Sequence, residues 1–172
     1  MTDLPKYLLD ADTFIRAFRQ HYRFSICPAY WEALARFHEE GRLASIAQVK
    51  SELLRGKDSL ANWVKKHLPD SFFKKTEDVA VIKQYSAISN WIANSATLSV
   101  EAKAKFASAA DGWLVAYAGP NNYSVCTYEA SAPLSKSNIK LPDIATTFGV
   151  SCVPPYDMLE ELKVRMVLSK RV

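Results

Sequence analysis

The sequence predicts an α/β fold: a three-layer sandwich with a short parallel sheet between helices, and extra helices added to it. Three observations carry this. Tyr7-Leu8-Leu9 is an apolar run that ends abruptly at Asp10 and Asp12, the pattern of a strand buried on both faces. Short apolar runs recur at 43–46, 123–127 and 150–153. Segments of helical period separate these runs, and strands alternating with helices indicate parallel pairing.

Each element has its own justification. The acids after the first run stand at the carboxyl end of a strand, where open α/β sheets place their active sites. Buried carboxylates are costly unless they are paired or bind a metal. A helix over 13–21 follows, with Phe14, Ile15 and Phe18 as its apolar positions. Pro28 sits in the first turn of the next helix, where Tyr30, Trp31, Leu34 and Phe37 keep helical spacing up to Gly41. After the strand at 43–46, Ser45 is placed to cap a helix through Val49, Leu53 and Leu54 that ends at Gly56. Another helix covers 59–67 and stops before Pro69.

The chain is read as one domain, with residues 57–107 as a helical elaboration of it. Within that segment Val79, Ile82, Tyr85, Ile88, Trp91 and Ile92 recur every three to four residues, a core stripe. A helix beginning near Asp111 turns Trp113, Leu114 and Tyr117 inward and closes at Gly119-Pro120. Asn121-Asn122 makes a turn into the third strand at 123–127. The fourth strand, at 150–153, precedes Pro154-Pro155 and a final amphipathic helix through Met158, Leu159, Leu162 and Met166.

Composition narrows the function. Hydrophobic residues make up 49% and charged residues 23% of the 172, as in ordinary globular proteins. No apolar stretch approaches the roughly 20 residues of a membrane helix, and Met1-Thr2-Asp3 does not open a signal peptide. A cytoplasmic protein is expected, with no membrane. Cys27, Cys126 and Cys152 are widely spaced and odd in number, which suits reduced thiols. His21, His38 and His67 are scattered, without zinc-ligand spacing. The net charge of +4 permits nucleic-acid binding without demanding it. Acids at strand ends within a basic chain suit a protein that holds a metal and a polyanion together.

Four acids fall at comparable places. Asp10 ends the first strand, Glu52 lies on the helix after the second, Asp111 opens the helix before the third, and Glu129 follows that strand. In one parallel sheet all four converge on a crevice at its carboxyl edge. Clustered carboxylates repel, so the cluster needs retained protons or a divalent cation. Oxygen-only ligands suit Mg²⁺ or Mn²⁺. A metal-bound water loses its proton more readily, and the cation offsets charge on a phosphodiester under attack.

Leu8-Leu9-Asp10-Ala11-Asp12-Thr13-Phe14-Ile15 resembles the opening motif of PIN-domain ribonucleases. Ser51-Glu52-Leu53 is similar to the second motif of that superfamily. The segment from Ala110-Asp111-Gly112 to Ala118 resembles the third, an aspartate before a small-apolar helix. Val125-Cys126-Thr127-Tyr128-Glu129 is similar to the fourth, a strand ending in Thr, any residue, then an acid. The motifs occur in the superfamily's order and span most of the chain. The middle helices and Ile139-Lys140-Leu141-Pro142-Asp143 look more like an uncharacterised PIN-like bacterial family than a minimal VapC-type toxin.

The resemblance implies a PIN-like fold and a Mg²⁺- or Mn²⁺-dependent endoribonuclease acting on RNA. It also implies the toxin of a type II toxin–antitoxin pair, with a cognate antitoxin protein as partner. It carries metal binding, and with it catalysis, onto Asp10, Glu52, Asp111 and Glu129. Beside the resemblance, Asp12, Thr127, Arg16 and Arg19 are candidates for a supporting role by their position. Two positions depart from the pattern: Asp12, where the family usually has Asn, Ser or Thr, and Glu129, where Asp is usual.

Other readings stand beside these. Asp12 can cap the first helix, Asp111 can favour a helix dipole, and Glu52 can pair with Arg55 at helical spacing. Thr127 suits a strand end by β propensity alone, and Asp143 reads as a helix cap. Arg16 and Arg19 follow the acids and are placed to touch phosphates. Tyr22, Phe24, Tyr30 and Trp31 either stack unpaired bases or pack a core. The middle helices read as a lid, a homodimer surface or an antitoxin dock. Two rivals remain: a PIN scaffold that only binds RNA or protein, and a haloacid-dehalogenase-type phosphatase. For the latter Thr13 follows Asp12 directly, so Asp-x-Asp-x-Thr fails by one residue.

Overall fold

A computed structural model describes residues 4–168. Five short strands form one parallel sheet: β1 (Tyr7–Leu9), β2 (Leu43–Ile46), β3 (Phe73–Lys74), β4 (Ser124–Cys126) and β5 (Cys152–Val153). Their order is β3-β2-β1-β4-β5, and all four pairings are parallel. Every residue of β1 and β2 is buried, which explains why these strands do not alternate between apolar and polar residues. Tyr7 stands opposite Leu43 on one side and Ser124 on the other, and Leu9 is opposite Cys126.

Helices flank the sheet: α1 (Ala11–Arg16), α2 (Pro28–Glu39), α3 (Ala47–Arg55), α4 (Ser59–His67), α5 (Val79–Ala93), α6 (Val100–Ala107), α7 (Asp111–Asn121), α8 (Leu141–Thr147) and α9 (Pro155–Glu161). The chain runs outward from β1 through β2 to β3, then crosses back to lay β4 on the other side of β1. That reversal sets a topological switch point between β1 and β4, and a crevice opens there at the carboxyl ends of the strands. Right-handed crossovers travelling in opposite directions put their helices on opposite faces. In agreement, α3 packs on α1 and α4, whereas α7 packs on α5, α6 and α8. Among the described residues no helix is long and apolar enough to cross a membrane. Cys27, Cys126 and Cys152 are free thiols.

The strands at 43–46, 123–127 and 150–153 and the helix at 59–67 lie where expected, to within two residues. Several details differ. Residues 57–107 are not wholly helical, because β3 adds an edge strand beside β2. Ser45 does not cap α3; it lies inside β2 and its hydroxyl donates to the Leu9 carbonyl at 2.6 Å. The helix expected over 13–21 begins at Ala11 and changes after Arg16 into a π-helical turn, Ala17–His21. The α5 stripe is shifted. Val81, Ile88 and Ile92 are buried, but Val79, Ile82 and Trp91 are exposed. Pro120 lies inside the last turn of α7, where its missing N–H removes one hydrogen bond near an end that frays anyway. The helix stops at Asn122, whose left-handed backbone (φ 57°) lets Tyr123 N–H reach the Ala118 carbonyl at 3.0 Å. The last helix, α9, ends at Glu161 and does not extend to Met166.

Candidate functional site

Asp10 is the first residue beyond β1, tied to β4 by its N–H to the Cys126 carbonyl at 3.0 Å. It caps α1: its Oδ1 accepts from Ala11 N–H at 2.6 Å. Its Oδ2 lies 2.8 Å from the Thr127 hydroxyl. The side chain is buried, 7% exposed. Burial, then the neighbouring Asp12 and Asp111, hold its carboxyl well above the usual range, against the pull of its hydrogen bonds.

Asp12 belongs to the first turn of α1 rather than to its cap. Its two oxygens accept from Tyr128 N–H at 3.1 and 3.0 Å, and its Oδ2 lies 3.1 Å from the Thr127 hydroxyl. Burial raises this carboxyl too, opposed by the Tyr128 and Thr127 hydrogen bonds. Thr127 therefore touches both acids with one oxygen, which also accepts from Glu129 N–H at 3.1 Å. A hydroxyl has one proton to give. It serves one carboxylate fully, and the second contact is a good one only if that acid carries a proton.

Asp111 opens α7, on the far side of the crevice. Its carboxyl is pushed up to about 6 by burial, then by Glu129, Glu52 and Asp12, with Lys105 opposing. Glu52, on α3, is raised by burial and by Asp12, with Arg55 opposing. Among the described residues Asp10, Asp12, Glu52 and Asp111 make no salt bridge. Glu129 differs. Its Oε1 accepts from Lys140 Nζ at 3.2 Å and its Oε2 from Leu141 N–H at 2.9 Å. It is paired with Lys140, and it fastens the start of α8. Asp143, expected as a cap, instead accepts from Ser131 and from Ala132 N–H, holding the preceding loop.

The structure thus brings Asp10, Asp12, Glu52, Asp111, Glu129 and Thr127 to one edge of the sheet. A small cavity of about 70 Å³, with room for a few waters, opens beside Asp111 and Glu129 and is lined also by Lys105 and Lys140. Arg16 stands at the rim, its guanidinium 5.3 Å above the Tyr128 ring. Arg19 is exposed on the π-helical turn and joins no described salt bridge. Tyr30 and Trp31 are core residues, 0% and 2% exposed; Tyr22 stacks on Tyr30, and Phe24 packs at a tilt against Trp31. The base-stacking reading of that group therefore fails.

Sequence reasoning passed over a second aromatic group: His21, Tyr128 and Tyr156. Its one legible signal is Tyr128, lying between Thr127 and Glu129. The other two reach it only through the π-helical turn and the start of α9.

The chemistry of the donors suits a hard divalent cation, because they are oxygen-only, crowded and short of positive charge. The arrangement is open: among the described residues no three His, Cys, Asp or Glu side chains are set to hold a metal ion between them. Mg²⁺ does not require such a cage. It usually keeps several waters and takes one or two carboxylates together with substrate phosphates. No curated protein matches this chain. No solved structure matches it either. One protein family does match, over residues 7–166, nearly the whole chain, and the chain belongs to it: the family described as a domain of unknown function, DUF4411.

Proposed function

We propose that the protein is a PIN-like, Mg²⁺- or Mn²⁺-dependent endoribonuclease. One observation supports this above the others. Acids from four separate segments face each other at the switch point of the sheet, and four of the five have no salt-bridge partner among the described residues. Such a concentration of uncompensated carboxylate is unfavourable for stability and suits a site that takes up positive charge.

In this reading one or two carboxylates among Asp10, Asp111 and Glu52 would hold the cation together with waters and substrate phosphate, with Glu129 at the edge of the set. When bound, the cation lowers the pKa of a coordinated water and offsets charge building on the phosphodiester. Asp10 is fixed for that task by Ala11 N–H and Thr127. Asp12 is aimed by Tyr128 N–H, and its raised carboxyl is suited to hold a proton beside the reacting phosphate. Lys105 on one flank and Arg16 beside Tyr128 supply positive charge for the strand's phosphates.

The test is incubation of purified protein with labelled RNA in Mg²⁺ or Mn²⁺, with a chelator control. Metal-dependent cleavage by the parent is expected, with none by Asp10→Asn/Asp111→Asn. A role as the toxin of a toxin–antitoxin pair rests on the same resemblance. It predicts growth arrest on regulated expression, relieved by the same double substitution.

The open arrangement of the acids and the pairing of Glu129 with Lys140 favour a second reading, a PIN scaffold that binds RNA without cleaving it. Equal RNA binding by parent and Asp10→Asn, with cleavage by neither, would establish that one instead.

A further inference from the structure

We propose that His21, Tyr128 and Tyr156, with Arg16 above the Tyr128 ring, form a stacking platform for an unpaired base of single-stranded RNA, beside the acidic cluster. The choice of RNA as ligand rests on the nuclease reading; the platform itself rests on the geometry. The His21 and Tyr128 rings lie 5.2 Å apart and 27° from parallel. Tyr156 meets both edge-on, at 6.0 and 5.8 Å. Its hydroxyl lies 3.3 Å from His21 Nδ1. Arg16 covers the Tyr128 ring from 5.3 Å.

These four residues come from three distant parts of the chain. The π-helical turn Ala17–His21 carries His21 to this place, and such turns are frequent at functional sites.

Core packing does not account for the group. The aromatic residues that serve the core here are closed off, as Tyr30 and Trp31 are. Arg16 and His21 are exposed, and Tyr156 is 49% exposed. The Tyr128 hydroxyl is buried beside Tyr156. Aromatic rings and guanidinium planes open to solvent are what proteins use to hold splayed bases. Position ties the platform to the acids. The N–H of Tyr128 itself donates to Asp12, so a base stacked here holds its own backbone next to the carboxylates.

The experiment is equilibrium binding, by fluorescence anisotropy, of a labelled ten-nucleotide oligo(A) and of an abasic ribose-phosphate strand of equal length. It uses the full chain in chelator without metal, so that cleavage does not enter. The parent is expected to prefer oligo(A) by about tenfold or more, the scale of one base–aromatic stack. His21→Ala/Tyr156→Ala loses that preference and keeps its affinity for the abasic strand, whereas His21→Phe/Tyr156→Phe retains the preference.

Equal parent affinity for the two strands overturns the proposal, as does a preference that survives the alanine pair. The same protein assayed for cleavage in Mn²⁺ separates the two readings. Base preference without cleavage leaves the platform standing and the nuclease reading refuted. Cleavage without base preference does the reverse.

Discussion

Asp111 shows at the scale of one residue how the site acts against the fold. Its carboxyl is pushed up to about 6 by burial and by Glu129, Glu52 and Asp12. Between the ordinary carboxylate value and about 6, the folded chain therefore binds more protons at this position than the unfolded chain does. Stability then falls as pH rises through that window. The contribution is complete below the unfolded value and is lost as the pH passes the folded one. Asp111→Asn removes the charge and keeps the shape. In metal-free buffer at pH 7.5 the variant should be more stable than the parent by roughly 1–2 kcal/mol, a partly exposed group being discounted for screening. For a chain of this length that is about 3–6 °C in Tm. The difference should shrink toward pH 4.5. Thermal melts of the two proteins across that range check it, and a constant difference would deny Asp111 its shifted titration.

At the scale of elements, the sequence is most readable where one period runs unbroken. The strand at 43–46 and the helix at 59–67 coincide with β2 and α4, because each is a clean run bounded by Gly, Ser or Pro. β3 escapes such reading. Two residues, Phe73 and Lys74, carry no period, and only the neighbouring β2 makes them a strand. The α5 stripe went astray for a related reason. A helix apolar on most sides offers several stripes, and packing against α7 selects the one through Val81, Ile88 and Ile92.

The fit between α5, α6 and α7 is also invisible in sequence, and it aims Asp111. Tyr85 of α5 stacks on Trp113 of α7, ring centroids 3.7 Å apart. Gly112 lies under this pair, where an added Cβ would stand 2.5 Å from Phe106 Cζ and 3.0 Å from Tyr85 Cε2. Gly112→Ala should therefore destabilise the fold by about 1–3 kcal/mol through overpacking, in spite of alanine's better helix propensity. A urea titration reads the loss. Stability equal to or above the parent would mean that the aromatic rings yield freely and do not hold α7 in place.

At the scale of the whole molecule, the site exists only because the sheet reverses direction. Asp10 and Thr127 are 117 positions apart in sequence and meet across the crevice between β1 and β4. Asp111 and Glu52 reach it from α7 and α3, on helices of opposite sets. A strand-end acid is legible from its apolar run, and so Asp10 was readable alone. The others were readable as a set only through their order along the chain. What no order discloses is how each acid is balanced: Glu129 by Lys140, eleven residues on, and Asp12 by the backbone of Tyr128.

That balance leads to a prediction for the assembled site. A cation that binds the folded chain alone stabilises it in proportion to the logarithm of its concentration, about 2.7 kcal/mol at a hundredfold excess over Kd. Mn²⁺ at pH 7.5 should raise Tm by several degrees, and Mg²⁺ should do so at higher concentration. At pH 5 the rise should be smaller, because protons already occupy Asp111 and compete with the metal. Asp10→Asn/Asp111→Asn should show little rise at either pH while starting from a higher Tm without metal. Differential scanning fluorimetry across a titration of each metal supplies these curves. A shift of equal size in parent and double variant would assign the cation to some other part of the surface. The acids gathered at the switch point would then need another source of positive charge.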